Sequence, residues 1–181
     1  MNIFVLCTGR CGSTTFIRAC QHIKNYSSGH ETLANEIFDR RLDYPNNHIE
    51  ADNRLTWFLG RLDEKYGNNA YYVHLTRNIE DCANSFVKRW EYGIMKAYRS
   101  DIIMCRKYDN ITTEEKKLVA KDYLHTVNEN IRCFLKDKTK KLYFELENAT
   151  ENFIHFCNQI NADIDINNAL NEFNIKYNAS R

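Results

Sequence analysis

Residues 3–23 read IFVLCTGRCGSTTFIRACQHI, and the hydrophobic pattern changes inside that stretch. Ile3-Phe4-Val5-Leu6-Cys7 is an unbroken apolar run, which predicts a short strand covered on both faces. Thr8-Gly9-Arg10-Cys11-Gly12 supplies two glycines and therefore a turn. From Ser13 the apolar residues Phe16, Ile17, Ala19, Cys20 and Ile23 recur at helical spacing, with Ser13 as the expected N-cap. A strand, a glycine turn and a helix N-terminus in succession form a cradle for an anion. The glycines admit a close approach of the backbone, and the first-turn N–H groups have no intrahelical partner. Arg10 adds a fixed positive charge, so the loop is expected to hold a phosphate or sulfate group.

Outward from this loop, further strands are predicted at His48–Asp52, at Ala70–Thr76 and at Leu142–Glu147, and a short strand or turn at Asn25–Thr32. Helices are predicted between them: over Leu33–Leu42, from Asn53 to the Gly67-Asn68-Asn69 break, from Glu80 to Trp90, and from Thr112 or Thr113 to Leu135. Two more are expected at Ala149–Ile160 and, briefly, around Ala169 and Leu170. Strands alternating with helices point to an α/β fold, a single domain over residues 1–181 in three α/β/α layers around a central parallel sheet. In such sheets ligands sit beyond the carboxyl ends of the strands, so the first loop and Arg77 are expected to share one cleft.

Composition narrows the function classes. With 43% apolar and 27% charged residues the chain is expected to fold as an ordinary globular protein. A formal charge of +1 argues for a local anion site and against a broad nucleic-acid surface. No segment has the length of a membrane span, and the apolar start runs straight into a turn, which reads as a strand rather than a leader. The seven cysteines are scattered without a CxxC pair, so neither a zinc site nor a disulfide framework is indicated, and a reducing, cytoplasmic setting is expected. Cys11 is expected to serve as a small residue in a tight loop.

The loop lacks the lysine of a Walker A motif, because Gly12 is followed by Ser13-Thr14-Thr15. That disfavours a P-loop-like nucleotide kinase or phosphatase, one alternative reading; a non-catalytic nucleotide-binding module is another. A second cationic motif follows the Ala70–Thr76 run: Arg77-Asn78-Ile79-Glu80-Asp81, with Ser85 eight positions after Arg77.

Together the two motifs resemble those of the sulfotransferases that use 3′-phosphoadenosine 5′-phosphosulfate (PAPS). Arg10-Cys11-Gly12-Ser13-Thr14, continued by Thr15-Phe16, matches the family's 5′-phosphosulfate loop, and Arg77 with Ser85 matches its 3′-phosphate site. The Tyr143–Asn148 segment is similar, more loosely, to its last strand. The resemblance covers residues 1–91 and about 142–160; residues 92–141 match nothing in the family. It implies a P-loop-like sulfotransferase fold, PAPS as co-substrate, PAP as product, no metal, and a small-molecule, glycan or peptide acceptor. An arginine in the loop is closest in form to the tyrosylprotein branch, whose catalytic carboxylate lies in a Gly-Glu-Glu-Thr segment. Gly29-His30-Glu31-Thr32 has that form, with Glu31 ranked first as base, His30 second, and the His48/Asp52 segment third. Arg10 would neutralise charge on the leaving oxygen. The aromatic and basic stretch from Tyr92 to Tyr108 is a candidate wall for the acceptor, whose identity and the oligomeric state stay open.

Overall fold

The computed structural model describes residues 1–103, 111–175 and 177. Among them, five strands form one all-parallel sheet: β1 (Ile3–Cys7), β2 (Ser27–His30), β3 (His48–Ala51), β4 (Tyr71–Thr76) and β5 (Lys141–Glu145). The order is β2-β3-β1-β4-β5, so β1 lies in the middle. Ile3, Phe4, Val5, Leu6 and Cys7 are all fully buried, as an apolar run without alternation requires.

Helices cover both faces of the sheet, giving three α/β/α layers. On one face α1 (Ser13–Cys20) and α6 (Ala149–Gln159) pack through Phe16, Phe153 and Phe156 onto Phe144 and Tyr71. On the other, Tyr66 of α2 (Leu59–Tyr66) meets Phe4, and Phe134 of α5 (Thr113–Leu135) meets Tyr72. Helix α3 (Ile79–Val87) packs on α5. The chain leaves β1 toward the first face and β4 toward the second. These two strands are hydrogen-bonded neighbours, and the divergence opens a crevice at their carboxyl ends.

Local chemistry explains the element ends. Thr112 and Glu115 form the capping box that starts α5, each side chain bonding the other's backbone N–H. Asn78 caps α3 by accepting from Asp81 N–H at 3.2 Å. The remaining helices are α4 (Gly93–Ala97) and α7 (Ile166–Asn171).

Several expectations are corrected. Leu33–Leu42 is not one helix: it forms a turn and then a 3-10 segment at Phe38–Leu42. Thr32 is pinned to Glu50, Phe38 has φ 49°, and Ile37 and Phe38 are exposed, so the helical spacing never becomes one buried face. The helix expected from Asn53 is divided at Phe58 into a 3-10 segment, Asn53–Trp57, and α2. The first is capped by Asp52, which accepts from Arg54 N–H at 2.8 Å. Gly12, in the left-handed region, takes the N-cap position of α1 in place of Ser13. Lys136, Lys138, Lys140 and Lys141 read as a solvated basic end to the long helix, but Lys138 is buried, 3.0 Å from Asp63 and over the Phe134 ring.

No helix among the described residues is long and apolar enough to cross a membrane.

Candidate functional site

The loop between β1 and α1 holds a run of unusual backbone. Gly9, Arg10 and Gly12 have φ of 81°, 59° and 89°. Arginine pays a steric penalty in that region, and such outliers gather where structure serves a site. At Gly12 the positive φ favours glycine, and an added Cβ would also push the Leu146 methyls, 2.8 Å away, aside. Tyr123 donates to Thr8 O at 2.7 Å from the α5 side, which ties the loop to the helix layer. Cys11 turns inward and is fully buried; hydrogen bonding with Cys7 and burial raise its thiol pKa well above the ordinary value. Its side chain therefore neither faces the cleft nor ionises readily, and only its backbone remains eligible for ligand contact.

A cleft of about 470 Å³ opens over this loop. Arg10, Gly12, Ser13, Thr14 and Thr15 form one wall, and Arg77, Asn84, Ser85 and Lys88 another. Arg77 follows β4 just before the Asn78 cap of α3 and Ser85 lies two turns into that helix, and both line this cleft. Ser85 Oγ accepts from Arg10 Nε at 2.9 Å, joining the two motifs directly. Arg77 is 3.1 Å from Asp81, and Cys82 Sγ lies 3.6 Å from Arg10 O beneath them. Burial, then the guanidiniums of Arg89 and Arg77, lower the pKa of Arg10. A bound anion would relieve that repulsion.

A second cleft, about 430 Å³, lies on the other side of Arg10, Ser13 and Thr14. His30 and Glu31 line it from the end of β2, Asn53 and Arg54 from the segment after β3, and Phe86, Arg89, Tyr92, Gly93 and Ile94 from the end of α3 onward. His30 Nε2 is 3.0 Å from Ser13 Oγ and 3.5 Å from Thr14 Oγ1. Glu31 has φ 56° and its carboxylate is 2.8 Å from Arg54 Nη1, a contact that raises the Arg54 pKa. Glu50, wholly buried in β3, holds this corner: it accepts from Thr32 N–H at 2.8 Å, Thr32 Oγ1 at 2.6 Å and His48 Nε2 at 2.9 Å.

Glu31 and His30 are thus brought to the loop, whereas His48 and Asp52 are not. His48 is buried against Glu50 and Ser27, and Asp52 against Arg41 at 2.5 Å. Burial pushes the Asp52 pKa up, against the pull of Arg54 N–H and Arg41. Both have structural work that accounts for them. His74, inside β4, meets Asn128 at 3.0 Å, as a core histidine should.

Sequence reasoning missed much of the walls. Phe173, Ile175 and Tyr177 close the far end of the first cleft with Leu146. Arg54 and Arg89 face the second. Of the Tyr92–Tyr108 stretch, Tyr92 and Ile94 line the second cleft; Tyr98 packs on Tyr123, Arg99 pairs with Glu91, and Arg106, Lys107 and Tyr108 lie outside the described residues. Across the two clefts five cations, Arg10, Arg54, Arg77, Lys88 and Arg89, stand beside two carboxylates, Glu31 and Asp81. The whole chain carries only +1, so positive charge is concentrated at this edge of the sheet.

Compared with protein-family models the chain matches no family, and compared with curated proteins it finds no match.

Proposed function

We propose that the protein is a PAPS-dependent sulfotransferase that moves a sulfuryl group to an acceptor hydroxyl, with an amine ranked second. The observation that carries this reading is the meeting of two anion motifs in one cationic cleft, joined by the Arg10–Ser85 hydrogen bond. A nucleotide with phosphate groups at two positions suits two cationic sites on one cleft. Arg77, Ser85 and Lys88 would hold the 3′-phosphate. The Gly12–Thr15 backbone and hydroxyls would hold the 5′-phosphosulfate, and the apolar Leu146, Phe173 and Ile175 suit the base. The residues therefore fit the donor.

The chemistry asks for in-line positioning and for charge stabilisation on the leaving side. The acceptor oxygen forms a bond to sulfur as the bond from sulfur to the bridging phosphate oxygen breaks. Glu31 takes the acceptor proton, and Arg10 neutralises the charge that gathers on the leaving oxygen. His30 orients Ser13 across the junction of the two clefts. A cytoplasmic setting is part of this reading, in keeping with cysteines scattered along the sequence without a CxxC pair.

Thermal unfolding with PAP, and separately with ATP and magnesium, tests the donor. A ligand bound only by the native state raises the melting temperature. PAP should raise it and ATP with magnesium should do so less. Arg77→Ala should weaken PAP binding by about tenfold to a hundredfold, the worth of a charge-assisted hydrogen bond. Equal calorimetric affinity in the variant would remove the 3′-phosphate assignment. A larger shift with ATP and magnesium would favour a nucleotide kinase or phosphatase.

A further inference from the structure

Ser27, His48 and Glu50 form a separate cluster on the β2–β3 edge of the sheet, and none of the three lines either cleft. Ser27 pairs with His48 and Gly29 with Glu50 across the two strands, so alternation puts all four on one face. Ser27 Oγ–H donates to His48 Nδ1 at 2.8 Å, and His48 Nε2–H donates to Glu50 Oε2 at 2.9 Å. The tautomer follows from Glu50, since a carboxylate only accepts. Nε2 therefore carries the ring proton, and Nδ1 keeps its lone pair for the hydroxyl. The other acceptor near that hydroxyl, Asn47 O, is 3.5 Å away and weaker.

Each member is held in place. Glu50 is buried, and Thr32 N–H and Oγ1 bond its two oxygens. His48 is buried, and its ring stacks on Tyr44 with 5.6 Å between centroids. Gly29 makes room for both, because a Cβ there would come within 3.1 Å of Glu50 Oε2 and 3.3 Å of His48 Cε1. Ser27 alone is exposed. A buried carboxylate, a buried imidazole and an exposed hydroxyl in series is the arrangement that activates a serine. The strand supplies a further group. Ser27 N–H donates to Asn47 O at 2.9 Å and Glu31 N–H to Ala51 O at 3.0 Å, both toward β3. Alternation then turns Ser28 N–H to the open edge of β2. Hydrolases with a serine nucleophile use the N–H of the next residue to hold the oxyanion.

We propose that Ser27 is an activated nucleophile, a site that takes an acyl group from an activated ester or thioester. Ser27 Oγ forms a bond to the acyl carbon as the bond from that carbon to the leaving oxygen or sulfur breaks. His48 Nδ1 takes the hydroxyl proton and passes it to the leaving group. Glu50 is a positioning residue: it holds the ring and balances its charge while the proton is there. Ser28 N–H faces the acyl oxygen. The proposal stands apart from the sulfotransferase reading, since it uses no residue of either cleft.

Incubation with 4-nitrophenyl acetate, with acetylation of each serine followed in time by peptide mass spectrometry, tests the inference. Ser28 is the internal control: it is the next residue, and its side chain points to the face opposite His48. In the native protein Ser27 should acetylate about 10²-fold faster than Ser28, the lower end for a positioned base. Ser27→Ala, an exposed substitution, should remove the fast phase of nitrophenolate release. His48→Gln and Glu50→Gln should each slow Ser27 acetylation by about tenfold or more. Rates are compared well below each variant's melting temperature, so that lost folding is not read as lost activation. Equal acetylation of Ser27 and Ser28 in the native protein overturns the inference whether or not the buried variants fold. A Ser27 rate that survives His48→Gln or Glu50→Gln, or a fast phase that survives Ser27→Ala, overturns it as well.

Discussion

Arg41 and Arg10 belong to the same sheet and have opposite fates. Arg41 is 2% exposed; it lies 2.5 Å from Asp52, donates to Tyr44 OH at 3.1 Å, and stacks over Phe58. Its charge is neutralised inside the chain. Arg10 is half-buried on a strained loop and bonds the Ser85 hydroxyl, and burial, then the guanidiniums of Arg89 and Arg77, lower its pKa. Its surroundings raise the energy of its charge where those of Arg41 lower it. A buried, internally compensated cation supports the fold. A cation gathered with others at a strand's carboxyl end suits a ligand that brings the opposite charge.

The most damaging test of that contrast is stability. Arg41→Ala leaves the Asp52 carboxylate buried without its partner, and such a change costs about 3–5 kcal/mol. Arg10→Ala relieves the repulsion from Arg77 and Arg89, gives up the Ser85 hydroxyl contact and strands no buried carboxylate of the kind Asp52 is, so its cost should be smaller than that of Arg41→Ala. Urea denaturation of the two variants side by side measures the difference. Similar losses would mean that Arg10 is structural after all, and the contrast would collapse.

The second test concerns Glu31, which, like Arg10, sits at positive φ on the same edge. Glu31→Gln keeps the shape of the turn and removes the proton acceptor. It should lower sulfuryl transfer by about 10²- to 10⁴-fold, the usual worth of a positioned general base. PAP affinity should remain, because Glu31 lines the second cleft and not the first. Single-turnover rates with calorimetry on the same preparation separate the two. Undiminished transfer would move the base to His30, whose ring already touches Ser13.

How far the sequence could be read follows from how local each feature is. The first loop was legible because strand, glycines and helix are contiguous, and a short segment sets its own geometry. Arg77 and Ser85 were legible because one strand end and the helix that follows it carry both within nine residues. The start of the long helix at Thr112 or Thr113 was legible for the same reason. The second cleft was legible only in part: Glu31, His30 and Tyr92 were candidates, but Arg54 and Arg89 come from separate segments that only the sheet order brings to them. Nor did the tail announce itself: Phe173 and Tyr177 look like ordinary core residues until α7 sets them beside the loop. Leu33–Leu42 misled because a periodic pattern records spacing and not burial. The Thr32–Glu50 hydrogen bonds and the left-handed Phe38 decide that segment from outside it.

The smallest effect expected is on the closed side of the comparison, in the sheet interior. His74 is 1% exposed, and burial lowers its pKa from the ordinary histidine value, with Asn128 opposing and Arg132 adding to the shift. The folded protein therefore keeps this ring neutral at a pH where the unfolded chain takes up a proton. Above about 6.5, the unfolded value, the two states bind equally and the contribution to stability is full. As pH falls through that value toward the lower native one, the unfolded state gains protons first and stability declines. Denaturation midpoints measured from pH 8 to pH 5 should fall over that window, and His74→Gln, which keeps a donor for Asn128, should flatten the fall attributable to this site. An unchanged slope in the variant would mean that the ring is solvated enough to titrate normally. The interior at β4 would then be more open than its packing against Asn128 and Tyr143 implies.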